Sequence, residues 1–160
     1  MQNEKVTVTV NGTRYERVVE PRRLASDFIR HDLFLTGTHV GCEHGTCGCC
    51  NILLNGETVR SCLLFAVQLD GAEVRTIEGL GTIDEMHPVQ EAFMENQGLQ
   101  CGFCTPGMLL SAVELLENNP DANLDDIRSA VSSNLCRCTG YQSIVESVVA
   151  AAEKMRGGER

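Results

Sequence analysis

The residues in this chain that could do chemistry are its cysteines, nine among 160 residues. They fall into three groups along the sequence: Cys42, Cys47, Cys49, Cys50 and Cys62; Cys101 and Cys104; and Cys136 and Cys138. Where thiols are kept reduced, clustered cysteines are metal ligands or catalytic thiols more often than disulfides. An odd total fits two four-cysteine sites with one spare thiol better than it fits paired bridges.

The first group has the spacing of one cluster-binding loop. Cys42 and Cys47 form C-x4-C, Cys47 and Cys50 form C-x2-C, and Cys62 follows after a short excursion. In plant-type ferredoxins such a loop supplies three thiolates, and a later residue supplies the fourth, to a [2Fe–2S] cluster. The glycines between these cysteines permit the left-handed backbone and the close N–H approach to sulfur that the loop needs. The spacing therefore predicts a [2Fe–2S] cluster on these four cysteines.

Two other metal sites use related ligands. Structural zinc also takes four cysteines, but usually from two C-x2–4-C pairs, so the spacing favours iron–sulfur and leaves zinc as an alternative. A Rieske centre replaces two cysteines with two histidines. Cys42 and His44 form a C-x-H motif, which could supply one half of such a centre. The other half would need a Cys-x-x-His motif, and the sequence has none. We therefore interpret His44 as a solvated loop residue.

A second set of four thiols combines Cys101 and Cys104 with Cys136 and Cys138. Each pair lies just before a predicted helix, and the first is followed by Thr-Pro, a cap with proline in the first turn. Helix N-termini present free N–H groups and a positive dipole end, which stabilise thiolates and an anionic cluster. A zinc site and a redox-active Cys-x-x-Cys disulfide are the alternatives. The matching Cys-x-Cys favours a metal cage over the disulfide.

The segments around the first set are predicted to be strands with one helix. Alternating apolar residues, as in Val6, Val8 and Val10, indicate half-buried strands, and two Asn-Gly pairs indicate hairpin turns. The predicted strands are residues 6–10, 14–19, 52–54, 58–62 and 73–77, with a short helix over 24–32. This α+β pattern predicts a plant-type ferredoxin-like β-grasp domain over residues 1–77.

The composition changes after this domain. Residues 78–86 are glycine-rich and are predicted to be a linker, since Gly-x-Gly without a third glycine is no dinucleotide fingerprint. Helical periodicity then predicts an all-α, four-helix [2Fe–2S]-binding domain over residues 87–160. Its predicted helices are residues 88–97, 105–116, 123–133 and a fourth after Gly140, with a frayed tail over 155–160.

The charge and the N-terminus exclude several function classes. A net charge of −9 offers no basic face for phosphates, so we expect no nucleic-acid partner. Polar residues lead straight into the first strand, so we expect no signal peptide and no membrane span. Together with the unpaired cysteines, this predicts a cytoplasmic protein.

Four motifs resemble the iron–sulfur subunit of the molybdenum hydroxylases, the family of xanthine oxidase, aerobic carbon monoxide dehydrogenase and the aldehyde oxidoreductases. The resemblance covers nearly the whole chain, and its motifs are specific in order and spacing. They are the run from Gly41 to Cys50, Ser61-Cys62, Gln100-Cys101-Gly102-Phe103-Cys104-Thr105-Pro106-Gly107, and Asn134-Leu135-Cys136-Arg137-Cys138-Thr139-Gly140-Tyr141.

This resemblance implies an electron-transfer subunit with two [2Fe–2S] clusters. The sequence offers no Ser–His–Asp set and no paired-carboxylate site, so we expect no substrate-binding residues in this chain. The resemblance also implies a large partner subunit that binds molybdopterin and an FAD-binding medium subunit, in a dimer of heterotrimers. Single electrons would pass from the molybdopterin through the cluster of the helical domain, then through the ferredoxin-like cluster, to FAD or another acceptor. By the same resemblance, Gln100 and Cys138 would lie closest to the pterin. A stand-alone two-cluster ferredoxin and a double-zinc interaction module are the alternative functions.

The chain departs from the usual pattern of this family at two positions. Cys49 stands where a small residue such as alanine is common, and Asn51 replaces a commoner threonine or valine. Cysteine is small and often buried, so we interpret Cys49 as a packing residue rather than a ligand. The remaining histidines, His31, His39 and His87, are scattered, and the sequence assigns them no function.

Overall fold

The alternating valines form the first strand, as predicted. The computed structural model describes residues 2–157. In it, β1 (Glu4–Val10) buries three valines and pairs antiparallel with β2 (Thr13–Val19). The hairpin turns at Asn11 and Gly12, whose φ angles of 50° and 75° are the left-handed pair that Asn-Gly adopts readily.

The sheet is completed by three strands around the cysteine loop. These are β3 (Asn51–Leu54), β4 (Glu57–Arg60) and β5 (Glu73–Arg75). The strand order is β2-β1-β5-β3-β4, with β1 and β5 parallel and the other pairs antiparallel. This mixed sheet with one helical segment across it is the predicted β-grasp arrangement.

A helical segment covers the sheet at the position that the sequence predicts. It starts as α1 (Ala25–Asp27) and continues as a π-helix (Phe28–Asp32) that the sequence analysis did not anticipate. Phe28 and Ile29 are fully buried in one apolar cluster with the β1 valines. That burial holds the segment on the sheet.

Two predicted strands are too long. The strand predicted over 58–62 ends at Arg60, because Ser61–Leu63 form a 3₁₀ turn that directs Cys62 into the interior. The strand predicted over 73–77 ends at Arg75, and another 3₁₀ turn follows over Ile77–Gly79.

The second half of the chain contains the four predicted helices. They are α2 (Pro88–Glu95), α3 (Thr105–Asn118), α4 (Leu124–Ser132) and α5 (Gln142–Gly157). The frayed tail predicted from Met155 is wrong for residues 155–157, which continue α5, while residues 158–160 lie outside the described part of the chain. The fold class is confirmed, whereas the domain boundaries at 77/78 and 86/87 stay predictions.

The two halves share an interface along α3. The carboxylate of Glu117 pairs with Arg75 of β5 at 2.7 Å, and Glu114 accepts a hydrogen bond from the N–H of Thr58 at 2.9 Å. Cys47, Cys49 and Leu53 of the first half lie in the same apolar cluster as the helical core. The helices found in residues 2–157 are each too short or too polar to cross a membrane.

Candidate metal centres

The first cysteine loop wraps tightly between the sheet and the helical half. Cys47, Cys50 and Cys62 are buried and Cys42 is partly exposed. The turn at Gly48 has φ +74°, a left-handed conformation that glycine adopts without strain. A side chain at Gly48 would also collide with Asn134, so this glycine lets the loop approach the segment before Cys136.

Backbone N–H groups point at the sulfur of Cys42. The N–H of Cys47 donates to Cys42 Sγ at 3.4 Å. This bond, with N–H groups of His44 and Thr46, lowers the pKa of Cys42 to about 6 despite partial burial. Cys42 is therefore a thiolate at neutral pH, the form that binds metal.

Cys50 and Cys62 form the other half of this set. Burial and the neighbouring Cys50 thiol raise the pKa of Cys62 to about 11. A thiol with such a pKa keeps its proton in the metal-free chain. A bound metal would displace that proton, so metal binding at this pair releases protons.

The second set brings together residues that are far apart in sequence. Cys101 and Cys138 lie on the surface with their sulfur atoms 3.4 Å apart. Cys104 and Cys136 are buried. Burial and then the hydrogen bond to Cys136 raise the pKa of Cys104 to about 12.

Hydrogen bonds favour the thiolate form of one cysteine in each of these pairs. The N–H of Phe103, and then the Cys138 thiol, lower the pKa of Cys101. Burial opposes ionisation of Cys136, but the hydroxyl of Thr139 donates to its sulfur at 3.1 Å and lowers its pKa overall. Tyr141 Oη accepts a hydrogen bond from the N–H of Cys136 at 2.9 Å and fixes that turn.

Cys49 lies between the two sets. It is 5% exposed, its thiol lies near the carbonyl of Cys47 at 4.0 Å, and it shares an apolar cluster with Cys47 and Cys104. Burial raises its pKa to about 12, with the Cys47 and Cys104 thiols adding to the effect. Cys49 is therefore a buried neutral thiol beside both sets, and its role as a packing residue stays a prediction.

The thiol contacts have the form that a two-iron cluster requires. Each iron of a four-cysteine [2Fe–2S] cluster takes two thiolates. The sulfurs interact as Cys42 with Cys47, Cys50 with Cys62, Cys101 with Cys138 and Cys104 with Cys136, and Cys49 makes a further contact with Cys47. Across residues 2–157, no three His, Cys, Asp or Glu side chains gather as they would around a single ion. The residues fit two [2Fe–2S] clusters, and one such cluster accepts or gives up one electron at a time.

The other residues named from sequence lie near these sets or apart from them. Gln100 is exposed beside Cys101, and His44 is exposed with its ring against the carbonyl of Cys42 at 2.6 Å. The sequence assigns no role to His39 or to His87. His39 stacks on Phe103 with ring centroids 4.9 Å apart and hydrogen-bonds to the Phe103 carbonyl. His87 caps α2. The His39 contact has no sequence signal because Phe103 lies 64 positions away. The His87 cap is local, and Pro88 at the start of α2 with Gln90 three residues after His87 could have indicated it.

The two halves match two family models. Residues 8–76 match the 2Fe-2S iron-sulfur cluster binding domain, and residues 76–149 match the [2Fe-2S] binding domain. The chain is 50% identical over 149 residues to the 6-hydroxypseudooxynicotine dehydrogenase complex subunit beta of Paenarthrobacter nicotinovorans, covering 92% of each chain. It is 43% identical to the aldehyde oxidoreductase of Megalodesulfovibrio gigas, covering 94% of this chain and 17% of that one.

A solved structure has the same fold over the full length. A chain of quinoline 2-oxidoreductase from Pseudomonas putida 86 superposes with a TM-score of 0.93 at 43% identity, covering 100% of both chains. Fold, thiol geometry and family models together define a protein with two [2Fe–2S]-binding domains. The chain belongs to the small iron–sulfur subunits of the molybdenum hydroxylase family, and it is an electron-transfer subunit of an oxidoreductase. The zinc module is thereby rejected.

Proposed function

We propose that each cysteine set is the complete ligand set of one cluster. Cys42, Cys47, Cys50 and Cys62 bind the cluster of the first half, and Cys101, Cys104, Cys136 and Cys138 bind that of the second. The pairwise thiol contacts support this assignment, because the eight proposed ligands form four pairs of interacting sulfurs. Cys49 only adds a second contact to Cys47, which already pairs with Cys42. The spacing supports the exclusion of Cys49, because C-x4-C-x2-C is complete with Cys42, Cys47 and Cys50.

The exposure of the thiols supports a direction for electron flow. Cys101 and Cys138 are exposed, whereas Cys104 and Cys136 lie inside, in the same apolar cluster as Cys47. The exposed pair therefore faces a partner, and the buried pair faces the first cysteine loop. This single arrangement carries the proposal that electrons enter at the surface of Cys101 and Cys138.

Residues around the exposed pair fit a docking surface for a cofactor-binding subunit. Leu99, Phe103 and Leu135 are 37%, 47% and 52% exposed next to the cysteines in sequence, so apolar area is available for burial. Gln100 offers an amide with two donors and an acceptor, suited to the edge of a pterin. We propose that Gln100 and Cys138 contact molybdopterin held by a large partner subunit.

The remaining parts of the assembly follow from family membership as proposals. A medium subunit with FAD accepts the electrons, and the complex is a dimer of heterotrimers in the cytoplasm. All nine cysteines are free, which is consistent with a reducing compartment. Relatives named for quinoline and for aldehyde oxidation are both 43% identical to this chain, so the partner subunit sets the substrate.

Purification of the tagged chain from its own cells tests this proposal. We expect a complex much larger than the 17.5 kDa chain, containing molybdenum and flavin together with iron. A red-brown protein of the mass of the chain alone, even at mild ionic strength, would favour the stand-alone ferredoxin. Mixing that protein with the separately purified large subunit is the control for dissociation during preparation.

A further inference from the structure

A buried polar cluster joins the two cysteine sets. Its members are Asn51, Ser111 and Asn134, with Arg60 beside them, and we call these four residues the polar hub. We propose that the polar hub is a positioning device that fixes the separation and orientation of the two clusters and thereby controls electron exchange between them. This inference rests on the proposed ligand sets.

The centre of the polar hub is almost inaccessible to water. Asn51, Ser111 and Asn134 are 1%, 6% and 1% exposed. Asn51 Nδ2 donates to Ser111 Oγ at 2.8 Å and to Asn134 Oδ1 at 3.0 Å. Asn134 Nδ2 donates to Ser111 Oγ at 2.9 Å, and Ser111 Oγ donates to the Gly107 carbonyl at 3.1 Å. A buried network with every polar atom satisfied favours one arrangement over its alternatives.

Arg60 extends the polar hub to the cysteine loop itself. Its guanidinium donates to Asn51 Oδ1, to the Gly45 carbonyl at 3.1 Å and to the Ser133 carbonyl at 2.6 Å. The first two acceptors belong to the first half of the chain and the third to the second half. One side chain therefore holds the loop of the first set against the segment that precedes Cys136.

Every member lies close in sequence to a proposed ligand. Asn51 follows Cys50, and Arg60 precedes Cys62 by two residues. Asn134 precedes Cys136 by two residues, and Ser111 lies in α3, whose N-cap is Cys104. A shift of the polar hub would move thiols of both sets relative to each other.

The backbones of α3 and of the first cysteine loop are in close contact, so neither can move toward the other without a steric clash. A Cβ added at Gly107 would overlap the Gly48 carbonyl and lie 3.1 Å from the Cα of Cys49. The N-terminal turn of α3 is thus in direct contact with the loop of the first set. The hydrogen bonds of the polar hub are directional, whereas apolar packing is not. The polar hub therefore determines how the N-terminal turn of α3 is positioned against the loop of the first set.

The test is electron paramagnetic resonance of the dithionite-reduced complex. Two reduced clusters couple through space, and the resulting splitting depends on their separation and relative orientation. We expect Asn51→Ala and Ser111→Ala to keep both clusters, at about four irons per chain, and to shift or broaden this splitting. Asn123→Ala is the matched control, because Asn123 caps α4 through the N–H groups of Asp125 and Asp126 and lies outside the polar hub.

Each outcome separates this inference from the proposed function. Unchanged splitting in Ser111→Ala and Asn51→Ala at full iron content would overturn the positioning role. The same change in Asn123→Ala would also overturn it, because general loosening would then be the cause. Loss of iron in the hub variants alone would assign these residues to cluster retention instead. A parent complex without two iron–sulfur signals would contradict the proposed function rather than the polar hub.

Discussion

The backbone N–H of Leu135 donates a hydrogen bond of 2.8 Å to the carbonyl oxygen of Cys47. Cys47 is a proposed ligand of the first cluster, and Leu135 precedes Cys136, a proposed ligand of the second. Main chain next to one set of thiols is therefore bonded directly to main chain next to the other. This main-chain contact therefore acts together with α3 and the polar hub on the relative position of the two sets.

Replacement of Cys49 tests the assignment of the ligands. We expect Cys49→Ala to retain both clusters and electron transfer, because eight other thiols already form four pairs. Removal of one buried sulfur should cost only about 1 kcal/mol of folding free energy. Cys50→Ala, one residue away, is the matched control and should lose the paramagnetic signal of the first cluster. Loss of that signal in Cys49→Ala would show that the ligand set is wrong.

Replacement of Cys62 tests whether the two halves hold their clusters independently. We expect Cys62→Ala to empty the first site and destabilise residues 1–77, because metal binding and folding are coupled. The second cluster should remain, so iron per chain should fall by about half. Leu63→Ala removes an exposed neighbouring side chain and should retain all the iron. Disappearance of both signals at matched protein yield would reject the predicted domain division.

Replacement of Gln100 tests the entry point for electrons. We expect Gln100→Ala to retain both clusters and to slow their reduction by substrate in the assembled complex. Reduction by dithionite should keep its rate, because that reagent need not pass through the pterin. Stopped-flow bleaching of the cluster absorbance measures both rates. Equal rates with substrate in the variant and the parent would place Gln100 off the route.

His87 gives the stability of the helical half a pH dependence. Its Nδ1 accepts a hydrogen bond from the N–H of Val89 at 3.2 Å. Only an unprotonated ring nitrogen can accept this bond. Burial lowers its pKa below 6.5, although Glu117 opposes this shift. A histidine with a lowered folded-state pKa contributes stability that is complete above pH 6.5 and is lost as pH falls through the lowered value.

We therefore expect His87→Asn to flatten the fall in stability on acidification, because asparagine caps a helix without titrating. Denaturant unfolding followed by circular dichroism at several pH values measures the slope. His31→Asn replaces an exposed histidine elsewhere in the chain and is the matched control for the loss of one imidazole. Acid release of iron affects all three proteins, so the comparison is between their slopes. Identical slopes in His87→Asn and the parent would refute the role of the cap.

The sequence predicts the elements well because their signals are local. Valine alternation, two Asn-Gly turns and the first-turn proline of α3 each act within a few residues. The cap predicted at Thr105 is wrong, because Cys104 is the N-cap of α3 and Thr105 is its first helical residue. The π-helix at Phe28 and the 3₁₀ turn at Cys62 escape prediction because packing on the sheet decides them. The hydrogen bonds of Asn51 could not be predicted, because its partners Ser111 and Asn134 lie 60 and 83 positions away. From the sequence, Asn51 is only an uncommon residue after the proposed ligand Cys50. Hydrogen bonds between residues so far apart in sequence leave no periodic pattern of apolar and polar residues.

The most direct test of the account is the amount of iron, acid-labile sulfide and unpaired spin in the purified, dithionite-reduced chain. Two [2Fe–2S] clusters predict about four irons, about four sulfides and about two spins per chain, with two distinct signals. The same result in Cys49→Ala would confirm that eight cysteines suffice. Half of those amounts with a single signal, or zinc in place of iron, would contradict the assignment of two clusters.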